Sequence, residues 1–166
     1  MKWIYSEGGP LLLVERRLLS EWNGSDTSQP EDRPTDYDRA CAIVEYMGVI
    51  EVANGSAFVL GDEPLQTAIW KDSRDEFTLV RWSYAESEAA FVEVFGQFPN
   101  EPQWDPEIVE FNIEDGELVI FDSAFSGREV LESLEIEVNP GLYRARLMLW
   151  EPNDKTSLVV HEFRRS

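Results

Sequence analysis

Short apolar runs separated by turn residues recur along the chain and predict strands. The clearest pair flanks Asn54 and Gly55, where residues 49–52 and 57–60 are rich in β-branched and apolar side chains. Asn-Gly is the strongest signal for a two-residue hairpin turn, because both turn positions favour positive φ. We therefore predict a β-hairpin that Pro64 terminates by removing a hydrogen-bond donor. A hairpin with two apolar arms needs more strands to be stable, so a larger sheet is expected.

Other runs of the same kind predict the remaining strands. Residues 134–138 alternate between apolar positions and Glu135 and Glu137, the pattern of a strand with one buried face. The segment 15–19 fits either a helical turn or the end of a strand. Turns are predicted at residues 72–75, 115–116 and 139–141. The other predicted strands are residues 3–5, 11–14, 65–70, 77–82, 108–113, 118–121, 143–150 and 158–163.

A first helix is predicted after Thr35, whose hydroxyl can accept a hydrogen bond from the Asp38 amide. The acidic residues at its start suit the positive end of the helix dipole. Gly48 is the expected C-terminal cap. One face of this helix is apolar and comprises Tyr37, Cys41, Val44 and Met47.

A second helix is predicted over residues 84–96. Ser83 and Glu86 have the spacing of a capping box, and Gly96 marks the end. Its predicted apolar face comprises Tyr84, Phe91, Val92 and Phe95.

The whole pattern predicts an α+β, mostly β fold: antiparallel sheets with two helices, in a single domain over residues 1–166. An internal similarity suggests a further division. Residues 9–14 resemble 116–121, residues 50–52 resemble 136–138, and two apolar strands end in Glu-Pro, at positions 63–64 and 151–152. These matches predict two similar β-halves, residues 1–82 and 107–166, linked by the helix 84–96. Chance recurrence of strand–turn–strand units is the alternative.

The charge balance predicts the kind of partner. The chain has 33 acidic and 14 basic residues, a net charge of −19. Such a field repels nucleic acid and anionic membranes and accelerates association with a basic partner. The alternative is that the acidity serves solubility alone. The single cysteine, Cys41, excludes a disulfide framework. The sequence also has no apolar run of about 18 residues and no signal-peptide pattern. Together these features predict a cytoplasmic protein.

Residues suited to catalysis are few. His161 is the only histidine and lies in a predicted strand, so it is predicted to be a structural histidine whose hydrogen bonds are satisfied. Cys41 lies on the apolar face of a predicted helix and is predicted to be a buried structural thiol. The carboxylate pair Asp62–Glu63 is adjacent on a strand, and adjacent strand residues point to opposite faces. We therefore predict no catalytic residues, no metal site and no cofactor. A carboxylate-based hydrolase or a small-ligand-binding domain stays as the alternative.

Two polar loops, residues 23–34 and 100–107, are the predicted contact sites for a basic protein partner. Loops on a rigid sheet carry binding residues, and the second loop offers an aromatic anchor among carboxylates. The alternative is that Trp104 is buried in the core and the first loop is disordered. The predicted partner-binding residues are Asp26, Glu31, Asp32, Glu101, Trp104, Asp105 and Glu107.

Several motifs resemble the immunity protein 21 family, whose members are encoded beside bacterial polymorphic toxins and are inferred to neutralise them. The resemblance is densest over residues 3–82: G-G-P-L-L at 8–12, W-N-G at 22–24, T-D-Y-D-R-A-C at 35–41, V-L-G-D-E-P at 59–64 and V-R-W at 80–82. It implies an immunity protein that binds a cognate toxin domain through an acidic surface. Motif residues with an implied structural role are Gly9, Trp22, Asp36, Tyr37, Asp38, Gly61, Asp62, Glu63, Pro64 and Trp82.

Overall fold

The computed structural model describes residues 1–28, 33–61 and 63–166. The fold is mostly β, as the apolar runs predicted, with two sheets whose strand pairs are all antiparallel. The five-stranded sheet has the order β3-β4-β2-β8-β9. Its strands are β2 (Leu11–Glu15), β3 (Gly48–Val52), β4 (Gly55–Leu60), β8 (Glu117–Asp122) and β9 (Leu134–Glu137).

The second sheet has six strands in the order β1-β5-β6-β11-β10-β7. Its three longest strands, β6, β11 and β10, are neighbours at its centre. The strands of this sheet are β1 (Trp3–Ile4), β5 (Gln66–Asp72), β6 (Glu76–Ala85), β7 (Ile108–Ile113), β10 (Gly141–Asn153) and β11 (Thr156–Arg165).

The two sheets pack face to face through one apolar cluster. Phe58 of the five-stranded sheet contacts Phe163 and Phe111 of the six-stranded sheet, with ring centroids 4.8 Å and 5.9 Å apart. Leu13 and Leu79 belong to the same buried cluster. Because aromatic and aliphatic side chains from both inner faces are removed from water here, this largest of the three apolar clusters stabilises the packing of the two sheets.

Helices cover the outer faces. A 3₁₀ helix (Arg16–Glu21) and α1 (Asp36–Cys41) contribute Leu18 and Ala40 to a cluster on the outer face of the five-stranded sheet. On the other sheet, α2 (Glu88–Val94) and a second 3₁₀ turn (Phe95–Gln97) cover a second apolar cluster that is rich in aromatic side chains. The predicted number of α-helices is therefore correct.

The predicted hairpin is present, but its turn is shifted by one residue. Val52 pairs with Gly55, so the turn consists of Ala53 and Asn54, and Ala53 has a φ of 50°. Gly55 is needed for a different reason: a Cβ at this position would lie 2.6 Å from the side chain of Leu18. The glycine thus allows the 3₁₀ helix to pack on the hairpin.

The first helix is shorter than its periodicity suggested. It ends at Cys41, which is exposed, and Val44 is also exposed. The prediction of a buried thiol was therefore wrong. The chain leaves the helix early because the backbone carbonyl of Tyr46 accepts a hydrogen bond from the amide of Gly61, at 3.1 Å. Met47 is then buried in the cluster between the sheets, and Gly48 begins β3 instead of capping a helix.

The second helix begins later than predicted. Residues 83–85 extend β6, because Tyr84 and Ala85 pair with β11, and Tyr84 is exposed. The helix is capped by Ser87, whose hydroxyl accepts a hydrogen bond from the Ala90 amide at 3.2 Å. The predicted capping box at Ser83 and the helical range 84–96 were therefore wrong.

The predicted similarity of the two halves is not confirmed. It equated β3 with β9 and β4 with β10, yet β3 and β4 are neighbours in one sheet whereas β9 and β10 lie in different sheets. The strand order has a regularity of its own. Strands that precede α2 occupy one side of each sheet and strands that follow it occupy the other, with junctions at β2–β8 and β6–β11.

Candidate interaction surfaces

The loop that contains Trp104 is fixed along the edge of β10. The amide of Asp105 donates to the carbonyl of Leu147 at 2.8 Å, which extends the sheet beyond β7. The carboxylate of Asp105 accepts the Glu107 amide at 2.9 Å. Because these bonds hold the backbone, the side chains of the loop are presented on a rigid support.

Trp104 is half-buried, between the two alternatives that the sequence left open. The guanidinium of Arg146 lies 4.4 Å from the centre of its ring, and the ring of Phe98 packs at 6.5 Å. The cation–π contact and the aromatic packing orient the indole.

A groove of about 410 Å³ opens beside Trp104, between residues 45–47 and 103–107. Glu45 lies on one side of the groove and Asp105 and Glu107 on the other, and Leu149, an exposed leucine of β10, also lines it. The groove combines an aromatic ring and an exposed leucine with carboxylates, the composition that protein interfaces use for anchoring a basic partner. The side chains that form it include Glu45, Tyr46, Trp104, Asp105, Glu107 and Leu149.

The structure brings only part of the predicted site together. Trp104, Asp105 and Glu107 share the groove, and Glu101 is exposed on the same loop. Asp26 lines a different cavity, of about 630 Å³. Its carboxylate accepts hydrogen bonds from the backbone amide and hydroxyl of Ser28, which lower the pKa of Asp26. The predicted residues Glu31 and Asp32 lie outside the described residues.

Sequence reasoning missed Glu45 and Leu149. Leu149 belongs to the continuous apolar run Leu147–Trp150 of β10. Such a run predicts a strand that is buried on both faces, so no sequence signal marked Leu149 as exposed. Glu45 was placed on a predicted helix. It reaches the groove because the chain leaves α1 early and crosses the end of β4.

Comparison with known proteins gives one match. The model of the family described as immunity protein 21 matches residues 2–156. The chain belongs to the immunity protein 21 family. No curated protein and no solved structure matches the chain. The match includes the later half of the chain, over which the sequence resemblance was loose, and it takes in the whole of the Trp104 loop.

In this immunity protein 21 chain, the first group of motif residues surrounds the start of α1. Gly9 lies so close to Tyr37 that a Cβ would be 2.5 Å from its ring. The Tyr37 amide donates to the carbonyl of Gly24 at 3.0 Å, and the carboxylate of Asp36 accepts the amide of Asn23 at 2.8 Å. These contacts join three chain segments, and the absent side chain of Gly9 and the carboxylate of Asp36 are the parts that depend on residue type.

Two more motif residues stabilise the same region. The indole of Trp22 is fully buried and donates to the carbonyl of Ser123 at 2.9 Å. Thr35 and Asp38 form a reciprocal capping box, with bonds of 3.0 Å and 2.9 Å. The hydrogen bond that the Thr35 amide donates to the Asp38 carboxylate is the main cause of the lowered pKa of Asp38.

A buried arginine holds the family segment at the end of β4. Arg81 has no exposed surface and donates to the carbonyls of Gly61, at 2.8 Å, and Glu63, at 2.6 Å. The family resemblance implied a structural role for Asp62, Glu63 and Pro64. Asp62 lies outside the described residues, and the carboxylate of Glu63 is exposed, so Glu63 takes part through its backbone carbonyl. Pro64 follows on the surface.

Trp82 belongs to the aromatic cluster under α2. Its ring stacks on Phe91 with centroids 5.1 Å apart and meets the edge of Trp3 at 5.5 Å. This motif residue therefore contributes to the packing of the helix on the sheet.

His161 lies on the inner face of β11 and is completely buried, next to Leu147 and Leu79 on the paired strands. Within the described residues, neither of its ring nitrogens has a hydrogen-bond partner, so the prediction of a satisfied histidine was wrong. Loss of solvation lowers the pKa of His161 well below its ordinary value, and the positive charge of Arg81 adds to this effect. A substrate on the protein surface does not reach this ring.

The described residues contain neither a metal-binding cluster nor a membrane-spanning helix. In the parts of the chain that the structure covers, no group of three His, Cys, Asp or Glu side chains is arranged to bind a metal ion. Across residues 1–28, 33–61 and 63–166, each helix is too short or too polar to cross a bilayer.

Proposed function

We propose that this chain neutralises a cognate toxin domain by binding it through an acidic surface. The observation that carries this proposal is the match of the immunity protein 21 model over residues 2–156. The chain acts by binding and performs no chemical step. The proposed partner is a basic protein domain, with no role for nucleic acid or membrane, because the net charge is −19. The single cysteine supports an encounter in the cytoplasm.

The groove beside Trp104 is the part of this surface that we assign to the toxin. Glu45, Asp105 and Glu107 surround it, and Trp104 and Leu149 provide apolar area at its centre. A toxin that acts on a negatively charged substrate exposes Lys or Arg in its own site. Carboxylates that meet these side chains replace the substrate, while the apolar centre excludes water from the contact.

The test is a binding titration of the toxin domain encoded beside this chain with the double variant Glu45→Gln/Glu107→Gln. Both side chains are at the surface, so the change removes charge at almost constant volume. We expect the Kd to rise by about tenfold or more, because charged pairs at an interface contribute about 1.5 kcal/mol or more each.

The matched control is Glu93→Gln on the exposed side of α2, which should leave the Kd unchanged. Equal binding by the double variant and the wild type would remove the groove from the interface. Failure of the wild type to bind or protect against the toxin would overturn the proposed function itself.

A further inference from the structure

A second surface carries apolar side chains that the fold leaves uncovered. Tyr5, Phe125 and Leu131 are 59%, 37% and 89% exposed. They line one cavity of about 220 Å³, which also includes Glu7 and Glu132. We call these five residues the Tyr5–Leu131 surface. Exposed aromatic and aliphatic side chains that are grouped and surrounded by polar residues mark interaction sites.

The backbone beneath this surface is held by specific hydrogen bonds. The carboxylate of Asp122 accepts the amide of Glu7 through one oxygen and the amide of Ala124 through the other, both at 2.9 Å. The amide of Ser25 donates to the carbonyl of Ala124 at 3.0 Å. Three loops are thereby joined at one point. A surface that is fixed before binding loses little conformational entropy when a partner binds.

The charge around the Tyr5–Leu131 surface is negative on balance, and the ammonium group of the nearby Lys2 donates to the carbonyl of Ser133. Glu7 and Glu132 line its cavity, and Asp26 and Glu129 line the cavity next to it, where Arg128 is the one basic residue. None of these four carboxylates forms an ion pair with a described residue.

The other end of the five-stranded sheet is different. There, Arg16 pairs with Glu117 and Glu135 at 3.3 Å and 2.8 Å. Arg17 pairs with Glu15 and Glu114 at 2.9 Å and 2.8 Å. Ion pairs are therefore present at that end, whereas the four carboxylates near the exposed apolar side chains have none among the described residues. This pattern is complementary to a basic partner.

The Tyr5–Leu131 surface and the Trp104 groove lie at the same end of the five-stranded sheet. The strand register places the start of β3, the end of β4, the start of β2, the end of β8 and the start of β9 at this end. Residues 45–47 precede β3, and residues 131–132 precede β9. The two edges of this sheet are about 19 Å apart, since neighbouring strands are about 4.8 Å apart. A standard interface of about 800 Å² per partner covers both.

The geometry points to the Tyr5–Leu131 surface as a second docking site for the same toxin. It fits a toxin segment that presents an apolar side chain flanked by Lys or Arg. The apolar side chain fills the space between Tyr5, Phe125 and Leu131, and the basic side chains meet Glu7 and Glu132. This inference rests on the proposed function, because the toxin is the partner that it assigns.

The first experiment measures toxin binding by the double variant Tyr5→Ser/Leu131→Ser. Both side chains are mostly exposed, so the fold does not depend on them. We expect the Kd to rise by about tenfold or more, mainly through faster dissociation, because the apolar anchors of an interface slow dissociation. The matched control is Leu142→Ser, at an exposed leucine of β10 at the other end of the molecule, which should bind like the wild type.

Two results separate this inference from the proposed function. A wild type that binds the toxin, with a double variant that binds within about twofold of it, overturns the second docking site and leaves the proposed function standing. A wild type that does not bind the toxin overturns the proposed function. In that case a second experiment, which needs no toxin, decides whether the surface binds a segment with an apolar side chain flanked by basic side chains.

The second experiment uses a short amphipathic peptide of Leu and Lys, and a control peptide in which Ser replaces Leu. Backbone amide NMR signals of residues 5–7 and 123–132 should shift with the Leu–Lys peptide and much less with the Ser–Lys peptide. The double variant should lose the difference between the two peptides. Equal shifts with both peptides, spread over the acidic surface, would show attraction by charge alone and would overturn the inference.

Discussion

At the scale of single residues, the buried polar groups of the sandwich have different tasks. Arg81 uses its charge to bind two backbone carbonyls at the end of β4, so its burial is compensated by hydrogen bonds. His161 has no such partner among the described residues and stays neutral. A neutral imidazole beside Arg81 avoids a second positive charge between the sheets. Burial without partners destabilises even the neutral imidazole, and protonation adds a further cost.

His161 should make the folded state sensitive to acid. Because its pKa is lowered in the folded chain, the unfolded chain binds the additional proton below about pH 6.5. The free energy of unfolding should therefore fall by up to about 1.4 kcal/mol per pH unit as the pH decreases below about 6.5. His161→Leu removes this group. Urea unfolding at several pH values should give a smaller loss for the variant than for the wild type; parallel losses would contradict the assignment.

At the scale of elements, the strands were predictable because β-branched runs and Gly or Pro turns are local signals. The helices were less so. The helical spacing of apolar residues continues through Val44 and Met47 by coincidence. The hydrogen bond from the Gly61 amide to the Tyr46 carbonyl redirects the chain. Phe125 and Leu131 were missed because they lie in a loop without periodicity. Their exposure depends on which other segments pack over them, and a local sequence pattern does not show this packing.

Glu15 connects elements that are distant in the chain. Its carboxylate is buried at the end of β2, accepts the amides of Glu114 and Asp115 at 2.6 Å each, and pairs with Arg17 at 2.9 Å. It thereby fixes the turn between β7 and β8. Glu15→Gln keeps the shape but removes the charge, so we expect a loss of roughly 1 to 3 kcal/mol in the free energy of unfolding.

The control for Glu15 is Glu114→Gln, which removes the exposed partner of the same arginine. An exposed ion pair contributes about 0 to 1 kcal/mol, so this variant should unfold at nearly the wild-type urea concentration. Similar losses in the two variants would mean that the ion pair with Arg17, and not the buried amide contacts, explains the effect.

At the scale of the whole molecule, the charge is unevenly neutralised. Arginines pair with carboxylates along the outer face of β7, β10 and β11 and at the 3₁₀ end of the five-stranded sheet. The end with the two proposed docking surfaces keeps its negative charge. A basic toxin approaching at random is therefore attracted most strongly to that end.

This charge should appear in the kinetics of toxin binding. Raising the salt concentration from about 20 mM to about 300 mM shortens the screening length from about 20 Å to about 6 Å. The association rate should fall by about tenfold or more, while the dissociation rate changes little. Stopped-flow mixing of the purified pair measures both. An association rate independent of salt would restrict the charge of −19 to a role in solubility.

The position of β11 also determines when the protein can become active during its own synthesis. β11 follows every other strand in chain order, yet it lies between β6 and β10 in the six-stranded sheet. A ribosome that makes about 5 to 20 residues per second needs several seconds to proceed from the end of β6 to β11. During this interval β6 presents an unpaired edge that can join other chains, and β10 adds a second one shortly before β11 is made. We therefore expect the proposed protection against the toxin to begin only after β11 has left the ribosome, however early the Trp104 loop is made.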